Sequence, residues 1–279
     1  MTAPSPRLSV TTWSLHRALG LTYPDAPGQG RREEGRETYG PGEVTLLELP
    51  ARLSALGFRT MEICHFHLPS RDREYLSELR GALEEAGIRL LSLLIDDGDL
   101  THPEHGTRDR DWIGGWIGTA AALGAERARV IAGKSEYSRE AMARSVAAFR
   151  ELTARGREQG VRVTTENWFA LLSRPAYVHE LLDRLEGTVG LNGDFGNWGG
   201  PTKYDDLAAI FPRAETSHAK AHFFAPGEID RDDYVACLEL TRRAGFSGPY
   251  TLVYDGPGND EWQGLAIEAE LVRPYLTGQ

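Results

Sequence analysis

Three strand-like segments in the second half of the chain each carry a side chain that can bind a metal ion. Glu166, Asp194 and His218 lie in or directly after successive β-branched or apolar runs, near their C-terminal ends. Two carboxylates and one imidazole suit Mn²⁺, Mg²⁺ or Co²⁺, and they also permit Zn²⁺. A single acid at a strand end is more often a helix cap or an ion-pair partner. Three such residues on consecutive strands favour a divalent-metal site instead.

Two further polar side chains follow His218 on the same segment. Lys220 and His222 lie two and four residues after it, so in a continuing strand all three would point to one side. A lysine beside a metal could polarise a carbonyl group, and a histidine could bind substrate or transfer protons. We therefore count both as candidate catalytic residues. The structural alternative for Lys220 is a buried ion pair with Asp194 or Glu166.

Aromatic and histidine side chains also fall just beyond the ends of predicted strands. We take five of them as candidate substrate-binding residues: Trp13, His16, His67, Trp168 and Trp198. Aromatic walls of this kind can hold a sugar-like ring by its apolar face. For each tryptophan taken alone, packing in the core is an equally good explanation.

The elements that must position these residues alternate along the whole chain. Short apolar segments without a polar face are typical of strands buried on both sides of a parallel sheet. Helical stripes separate them, and most of these end at a glycine. The predicted strands are Leu8–Trp13, Thr60–Cys64, Ile88–Ile95, Ala128–Ala132, Val161–Thr165, Thr188–Asn192, Thr216–Ala221 and Tyr250–Tyr254.

Eight such units predict an α/β protein, a (β/α)₈ TIM barrel that forms one domain over residues 1–279. In a barrel the C-terminal strand ends converge on one axial pocket, so Glu166, Asp194 and His218 would meet there. A doubly wound open sheet is the alternative. It usually has a glycine-rich phosphate turn after the first strand, and the sequence contains no such turn.

One segment interrupts the alternation. Residues 20–43, after the first strand, are rich in Gly, Pro, Arg and Glu and are too long for an ordinary connection. In a barrel this segment lies at the end where active sites form, so we interpret it as a mobile flap over the site. A solvated insertion without function is the alternative, because long insertions cost little free energy.

Composition excludes several classes of protein. A net charge of −10 argues against a nucleic-acid partner, which usually needs a basic surface. Two distant cysteines, Cys64 and Cys237, exclude a disulfide framework and suit a reducing, cytoplasmic compartment. The first seven residues contain no apolar stretch of the kind found in secretion signals. The longest apolar run, Leu90–Ile95, is too short to span a membrane.

The segments that carry the candidate ligands resemble signature segments of a known superfamily. This is the sugar phosphate isomerase/epimerase superfamily of xylose isomerase-like TIM barrels, which includes ketose 3-epimerases, inosose dehydratase, hydroxypyruvate isomerase and endonuclease IV. The resemblance extends over all eight units and rests mainly on Thr165–Trp168, Asp194–Asn197 and His218–Ala221.

The resemblance implies a ligand set and one departure from it. Glu166, Asp194 and His218 match three metal ligands of the family. Family epimerases carry a second glutamate on the eighth strand, where this chain has Val253. Epimerisation by paired glutamates needs two carboxylates that flank the substrate carbon. Asp255, two residues further on, could replace the missing one as ligand or base.

These observations predict a metal-dependent isomerase or epimerase of a sugar, cyclitol or related polyhydroxy carbonyl compound. It would act by proton transfer through a metal-stabilised enediolate. Glu166 or Asp255 would be the base, and Lys220 or His222 the electrophile or acid. Alternatives are a lyase or dehydratase, including one that cleaves a modified glycoside, and a non-catalytic ligand-binding barrel. Endonuclease IV-like activity is disfavoured, because that enzyme has a histidine where this chain has Asn197. Exposed helix faces would allow homo-oligomers.

Overall fold

The computed structural model describes residues 7–32, 34–258 and 260–276. The segment before Arg7, in which we looked for a secretion signal, lies outside these residues. Within the described ranges, eight parallel strands close into a barrel, each hydrogen-bonded to its neighbours in chain order. The predicted TIM barrel is therefore confirmed. The strands are β1 (Leu8–Thr11), β2 (Thr60–Cys64), β3 (Arg89–Ile95), β4 (Arg127–Val130), β5 (Arg162–Glu166), β6 (Gly190–Asp194), β7 (Ala214–Lys220) and β8 (Tyr250–Val253).

In the described residues, eight helices of seven residues or more surround the barrel, one after each strand, and a four-residue helix, His16–Leu19, lies shortly after β1. Their apolar stripes pack on the outer face of the sheet, where residues such as Ile63 and Leu93 are fully buried. The helices are α1 (Leu49–Ala55), α2 (Arg73–Glu85), α3 (Gly106–Leu123), α4 (Arg139–Glu158), α5 (Pro175–Arg184), α6 (Lys203–Ile210), α7 (Arg231–Arg243) and α8 (Glu261–Val272). In the described ranges, no helix is long and apolar enough to cross a membrane.

The register of the strands brings the candidate ligands to one end of the barrel. Asp194 at the end of β6 pairs with His218 on β7, and Glu166 at the end of β5 pairs with Asn192. Because paired residues of parallel neighbours face the same way, and Asn192 and Asp194 lie two residues apart on β6, all three side chains point into the barrel. The strand ends differ from the predicted ones by a few residues, as is usual for such boundaries.

The segment between β1 and α1 contains small sheets of its own. Leu21–Thr22 pairs with Arg36–Glu37, and Asp25–Ala26 pairs with Gly30–Arg31. The described part of this insertion packs on the loop after β2 and on α3, and one buried side chain anchors it there. Whether the segment moves as a flap stays a prediction.

Asp25 is that anchor. Its carboxylate accepts a hydrogen bond from Trp112 Nε1 at 2.9 Å and lies 3.9 Å from the Arg71 guanidinium. Its backbone oxygen accepts from His65 Nε2 at 3.1 Å. The insertion is thereby fixed to α3 and to both ends of the loop between β2 and α2.

We expect Asp25→Ala to loosen the insertion without unfolding the barrel. The substitution leaves the Trp112 indole N–H without its partner, which costs about 1–3 kcal/mol of stability. Limited proteolysis with trypsin should then cut faster after Arg31, Arg32 and Arg36 than in the unmodified protein. Glu37→Ala, which removes an exposed carboxylate of the same segment, is the control. Equal cleavage rates in all three proteins would show that Asp25 does not hold the insertion.

Candidate metal centre and its cavity

Glu166, Asp194 and His218 form a compact buried cluster inside the mouth of the barrel. Each side chain offers one ligand atom, and the three atoms lie within 4.8 Å of one another. All three residues are at most 5% exposed. No other group of this kind occurs among the described residues. The structure thus brings together the three side chains that the sequence predicts as ligands.

A fourth buried residue, Glu62 on β2, orients the imidazole. Its Oε2 lies 2.8 Å from His218 Nε2, which donates to it. His218 Nδ1 then faces Glu166 Oε2 at 3.4 Å and Asp194 Oδ2 at 3.5 Å. A carboxylate behind a histidine ligand fixes the ring and increases its basicity. The sequence analysis missed Glu62, although a lone acid within a fully buried strand was a signal that could have found it.

The remaining oxygens of the two carboxylates are held by a short turn after β6. Asn197 Nδ2 donates to Glu166 Oε1 at 2.6 Å, and Asp194 Oδ1 accepts from the backbone N–H groups of Gly196 and Asn197. One oxygen of each carboxylate is therefore left to face His218. Glu166 Oε2 is buried and has no hydrogen-bond partner of adequate geometry among the described residues.

This arrangement fits a divalent metal ion. Two buried carboxylates that face one imidazole are stabilised by a cation placed between them, because buried charges need a partner of opposite sign. Three ligand atoms converge: Glu166 Oε2, Asp194 Oδ2 and His218 Nδ1. The second oxygen of each carboxylate and the second ring nitrogen of the histidine are already hydrogen-bonded to protein groups. Three protein ligands of mixed oxygen and nitrogen type leave further coordination positions for water or substrate.

The charged groups of the cluster shift the pKa values of one another. Burial alone would raise the pKa of Glu166, but the charges of His218 and Arg129 outweigh it and lower that pKa. Burial and the neighbouring Glu166 raise the pKa of Asp194. Burial would lower the pKa of His218, yet the carboxylates of Glu166 and Glu62 raise it well above its usual value. Without an ion, a proton on His218 compensates these carboxylates.

The cluster lies in the wall of a cavity of about 370 Å³ at the barrel mouth. Two of the five predicted substrate-binding residues, Trp13 and Trp168, line it. Phe66 and Phe169 provide further aromatic surface. The full lining is Thr11, Trp13, Cys64, Phe66, Leu94, Asp96, Arg129, Glu166, Trp168, Phe169, Asp194, Asn197, His218, Lys220 and Val253.

The other three predicted substrate-binding residues lie elsewhere. Trp198 is buried and donates from Nε1 to the backbone oxygen of Leu172. His16 is buried against Tyr39, with ring centroids 3.9 Å apart. His67 contacts Thr12 Oγ1 at 2.9 Å. His67 also lines a separate pocket between the insertion and α2. None of these three side chains is among those that line the cavity.

Of the predicted catalytic residues near the end of β7, the structure brings Lys220 to the cavity but not His222. β7 ends at Lys220, so the alternation that would have turned His222 inward stops there. His222 is exposed, with its ring edge-on to Phe224. Lys220 Nζ lies 2.7 Å from Asp255 Oδ2, so its partner is neither Asp194 nor Glu166. Burial would lower the pKa of Lys220, but the bond to Asp255 and the charge of Asp194 raise it.

The eighth strand contributes an apolar side chain to the cavity. Val253 is 5% exposed, pairs with Lys220 in the strand register and lines the cavity. Asp255, the suggested replacement for the absent glutamate, has a side chain that is 39% exposed. It pairs with Lys220 at the rim and is not part of the ligand cluster.

A buried arginine on β4 is the second residue that the sequence analysis missed. Arg129 lines the cavity and is 4% exposed. Its Nη2 donates to Asp96 Oδ1 at 2.5 Å, and its Nε lies 3.0 Å from Glu166 Oε2. Its position in the predicted strand Ala128–Ala132, whose other residues are apolar, was the available signal.

Comparison with known proteins agrees with this architecture. A sequence model of the xylose isomerase-like TIM barrel family matches residues 50–273. Among curated protein sequences, none matches this chain. Solved structures with the same fold are numerous, and at identities below one in five they establish the fold alone.

Among them are two sugar epimerases and one protein in complex with magnesium. D-allulose 3-epimerase from Methylomonas sp. is 16% identical, with a TM-score of 0.68 over 99% of this chain and 100% of the other. The 3-keto-D-glucoside 4-epimerase from E. coli is 17% identical, with a TM-score of 0.66 over 82% and 94%. A xylose isomerase-like TIM barrel protein from Mycobacterium smegmatis, in complex with magnesium, is 16% identical, with a TM-score of 0.64 over 98% of each chain.

We expect Glu62→Ala to weaken metal binding by about 10- to 100-fold, because His218 loses the carboxylate that orients it. Glu62→Gln keeps an acceptor for Nε2 and should recover part of the affinity. Titration of the metal-free protein with Mn²⁺ measures the effect. The control is Glu78→Gln, which makes the same charge change on an exposed face of α2. If Glu62→Ala bound Mn²⁺ as well as the unmodified protein, the orienting role would be wrong.

Metal binding should weaken as the pH falls. The raised pKa of His218 means that its Nδ1 keeps a proton to a higher pH than a free imidazole, and a metal ion must displace that proton. Below this pKa, Mn²⁺ affinity should fall about tenfold per pH unit for one displaced proton. Calorimetry in buffers with different ionisation enthalpies counts the protons released. Binding without proton release at neutral pH would contradict the proposed state of His218.

Proposed function

Because the chain belongs to the xylose isomerase-like TIM barrel family, we propose that it is a metal-dependent isomerase or epimerase. Its substrate would be a sugar, cyclitol or related polyhydroxy carbonyl compound. The observation that carries this proposal is the buried cluster of Glu166, Asp194 and His218 in the wall of the barrel-mouth cavity. Mn²⁺, Mg²⁺ or Co²⁺ suits the ligand set, and Zn²⁺ is compatible with it.

When bound, the ion would supply positive charge that stabilises the negative charge developed on substrate oxygens. The protein provides the rest of the site. Trp13 and Trp168 offer aromatic surface against which a polyhydroxy ring can pack. We assign the removal of a carbon-bound proton to Glu166, whose carboxylate Asn197 orients through Oε1.

Lys220 is the better candidate for the electrophile, because its side chain lines the cavity and that of His222 does not. Asp255 holds Lys220 at the rim and raises its pKa, so the ammonium stays charged at neutral pH. A fixed positive charge at this place would stabilise a developing oxyanion of the substrate. Asp255 then acts on Lys220 rather than on the substrate.

A lyase or dehydratase, including one that cleaves a modified glycoside, is the second candidate. The observation that favours it is Val253, which occupies the eighth-strand position in the cavity. A 3-epimerisation with two bases needs a carboxylate on each side of the substrate carbon. Removal of a proton by Glu166 followed by loss of a leaving group needs one carboxylate only.

Metal analysis and proton exchange test the proposal together. We expect the purified protein to bind about one equivalent of Mn²⁺ or Co²⁺, and a panel of sugars, cyclitols and keto sugars in D₂O should show deuterium incorporation into one class. Glu166→Gln should abolish the exchange, whereas Glu104→Gln, an exposed carboxylate in the loop before α3, should not change it. A protein that neither contains nor takes up a divalent metal would refute the central claim.

A further inference from the structure

Arg129 is held rigidly in the cavity wall. Nη2 donates to Asp96, Nε lies beside Glu166, and the guanidinium carbon lies 5.1 Å from the centroid of the Trp168 ring. Asp96 is itself fixed, because its backbone N–H donates to His65 Nδ1 at 3.2 Å. A charged group supported in this way keeps its geometry when a ligand binds, which is a property of binding sites.

Part of this guanidinium remains unused by the protein. Nη1 of Arg129 is buried and has no hydrogen-bond partner among the described residues. Buried polar donors are nearly always satisfied, so an orphaned donor in a cavity wall calls for an explanation. A purely structural arginine between two carboxylates could use all of its donors. Nη1 of Arg129, a residue that lines the cavity, instead keeps both N–H bonds without a partner in the described part of the chain.

Arg129 is one of two Arg or Lys side chains among the described residues that line the cavity. The other, Lys220, is paired with Asp255, whose Oδ2 lies 2.7 Å from Nζ. The guanidinium of Arg129 keeps an unbonded donor, Nη1, and a charged donor of this kind favours an anionic oxygen group.

We propose that Arg129 is a substrate-binding residue and that its Nη1 takes an anionic oxygen group of the substrate, a carboxylate or a phosphate. The inference rests on the proposed function in one respect, namely that the substrate occupies this cavity. It narrows the substrate class from neutral polyols to sugar acids, keto acids or sugar phosphates. Charge-assisted bonds of arginine to such groups are the strongest that side chains form.

A matched set of ligands separates this role from that of a structural counter-ion. Sorbitol, D-gluconate and sorbitol 6-phosphate share a carbon chain and differ in the presence and type of anionic group. Their binding would be measured by calorimetry with Mn²⁺-loaded and with metal-free protein. We expect both anionic ligands, or one of them, to bind more tightly than sorbitol, and the tighter one identifies the group.

Arg129→Met should weaken the anionic ligand about 10- to 100-fold and leave sorbitol unchanged. Arg127→Met is the control, because it removes the same charge at the opposite end of β4, where Arg127 pairs with Glu126. Arg129→Lys retains the charge without the planar fork and should give an intermediate loss. If the methionine variant does not fold, as judged by circular dichroism, the lysine variant carries the comparison.

Two outcomes would overturn the proposal. One is that the anionic ligands bind the unmodified protein no more tightly than sorbitol does. The other is that Arg129→Met weakens the binding of all three ligands equally or weakens the binding of none. The latter would happen if the anionic group bound the metal ion and not Arg129. The measurements with metal-free protein keep this test separate from the proposed function. Even if the protein takes up no metal, they show whether it prefers the anionic ligands to sorbitol.

Discussion

The interior of this barrel must accommodate several ionised carboxylates, and most of the site follows from how it does so. Glu62, Asp96, Glu166 and Asp194 are all largely buried near its C-terminal end. Charges removed from water are tolerated only when they are paired and hydrogen-bonded. His218 pairs with three of them and Arg129 with two, while the turn after β6 supplies further donors to Glu166 and Asp194. The ligand cluster is therefore one part of a larger balance of charge.

This balance explains why the candidate metal site and the adjoining cavity cannot be treated separately. Arg129 and His218 both lie within 3.4 Å of Glu166 Oε2, so an ion that binds this oxygen changes the environment of both cations. Lys220 stands apart, because Asp255 neutralises it at the rim. The cavity thus has a deep part, where charge depends on the ion, and an outer part, where it does not.

The sequence predicted the barrel and the convergence of Glu166, Asp194 and His218, because both depend on local patterns. Short apolar strands at regular intervals indicate the fold, and Glu166, Asp194 and His218 come at strand ends, where a barrel collects side chains. Glu62 and Arg129 lie inside strands, and only the closed sheet shows that they point inward and meet the ligands. For His222 the sequence predicted an inward direction that the structure does not show. Its predicted direction depended on the length of β7, which a hairpin that starts at Phe223 cuts short.

His65, which follows β2, limits how the insertion after β1 could be exchanged for that of another barrel. His65 accepts from the backbone of Asp96 and donates to the backbone of Asp25, so one neutral tautomer joins the insertion to the support of Arg129. A long polar loop on a barrel looks like a module that could be exchanged between relatives. Here one imidazole links it to the residue that supports Arg129 in the cavity wall. A chimera that transplanted the loop without His65 and Asp96 would lose this link.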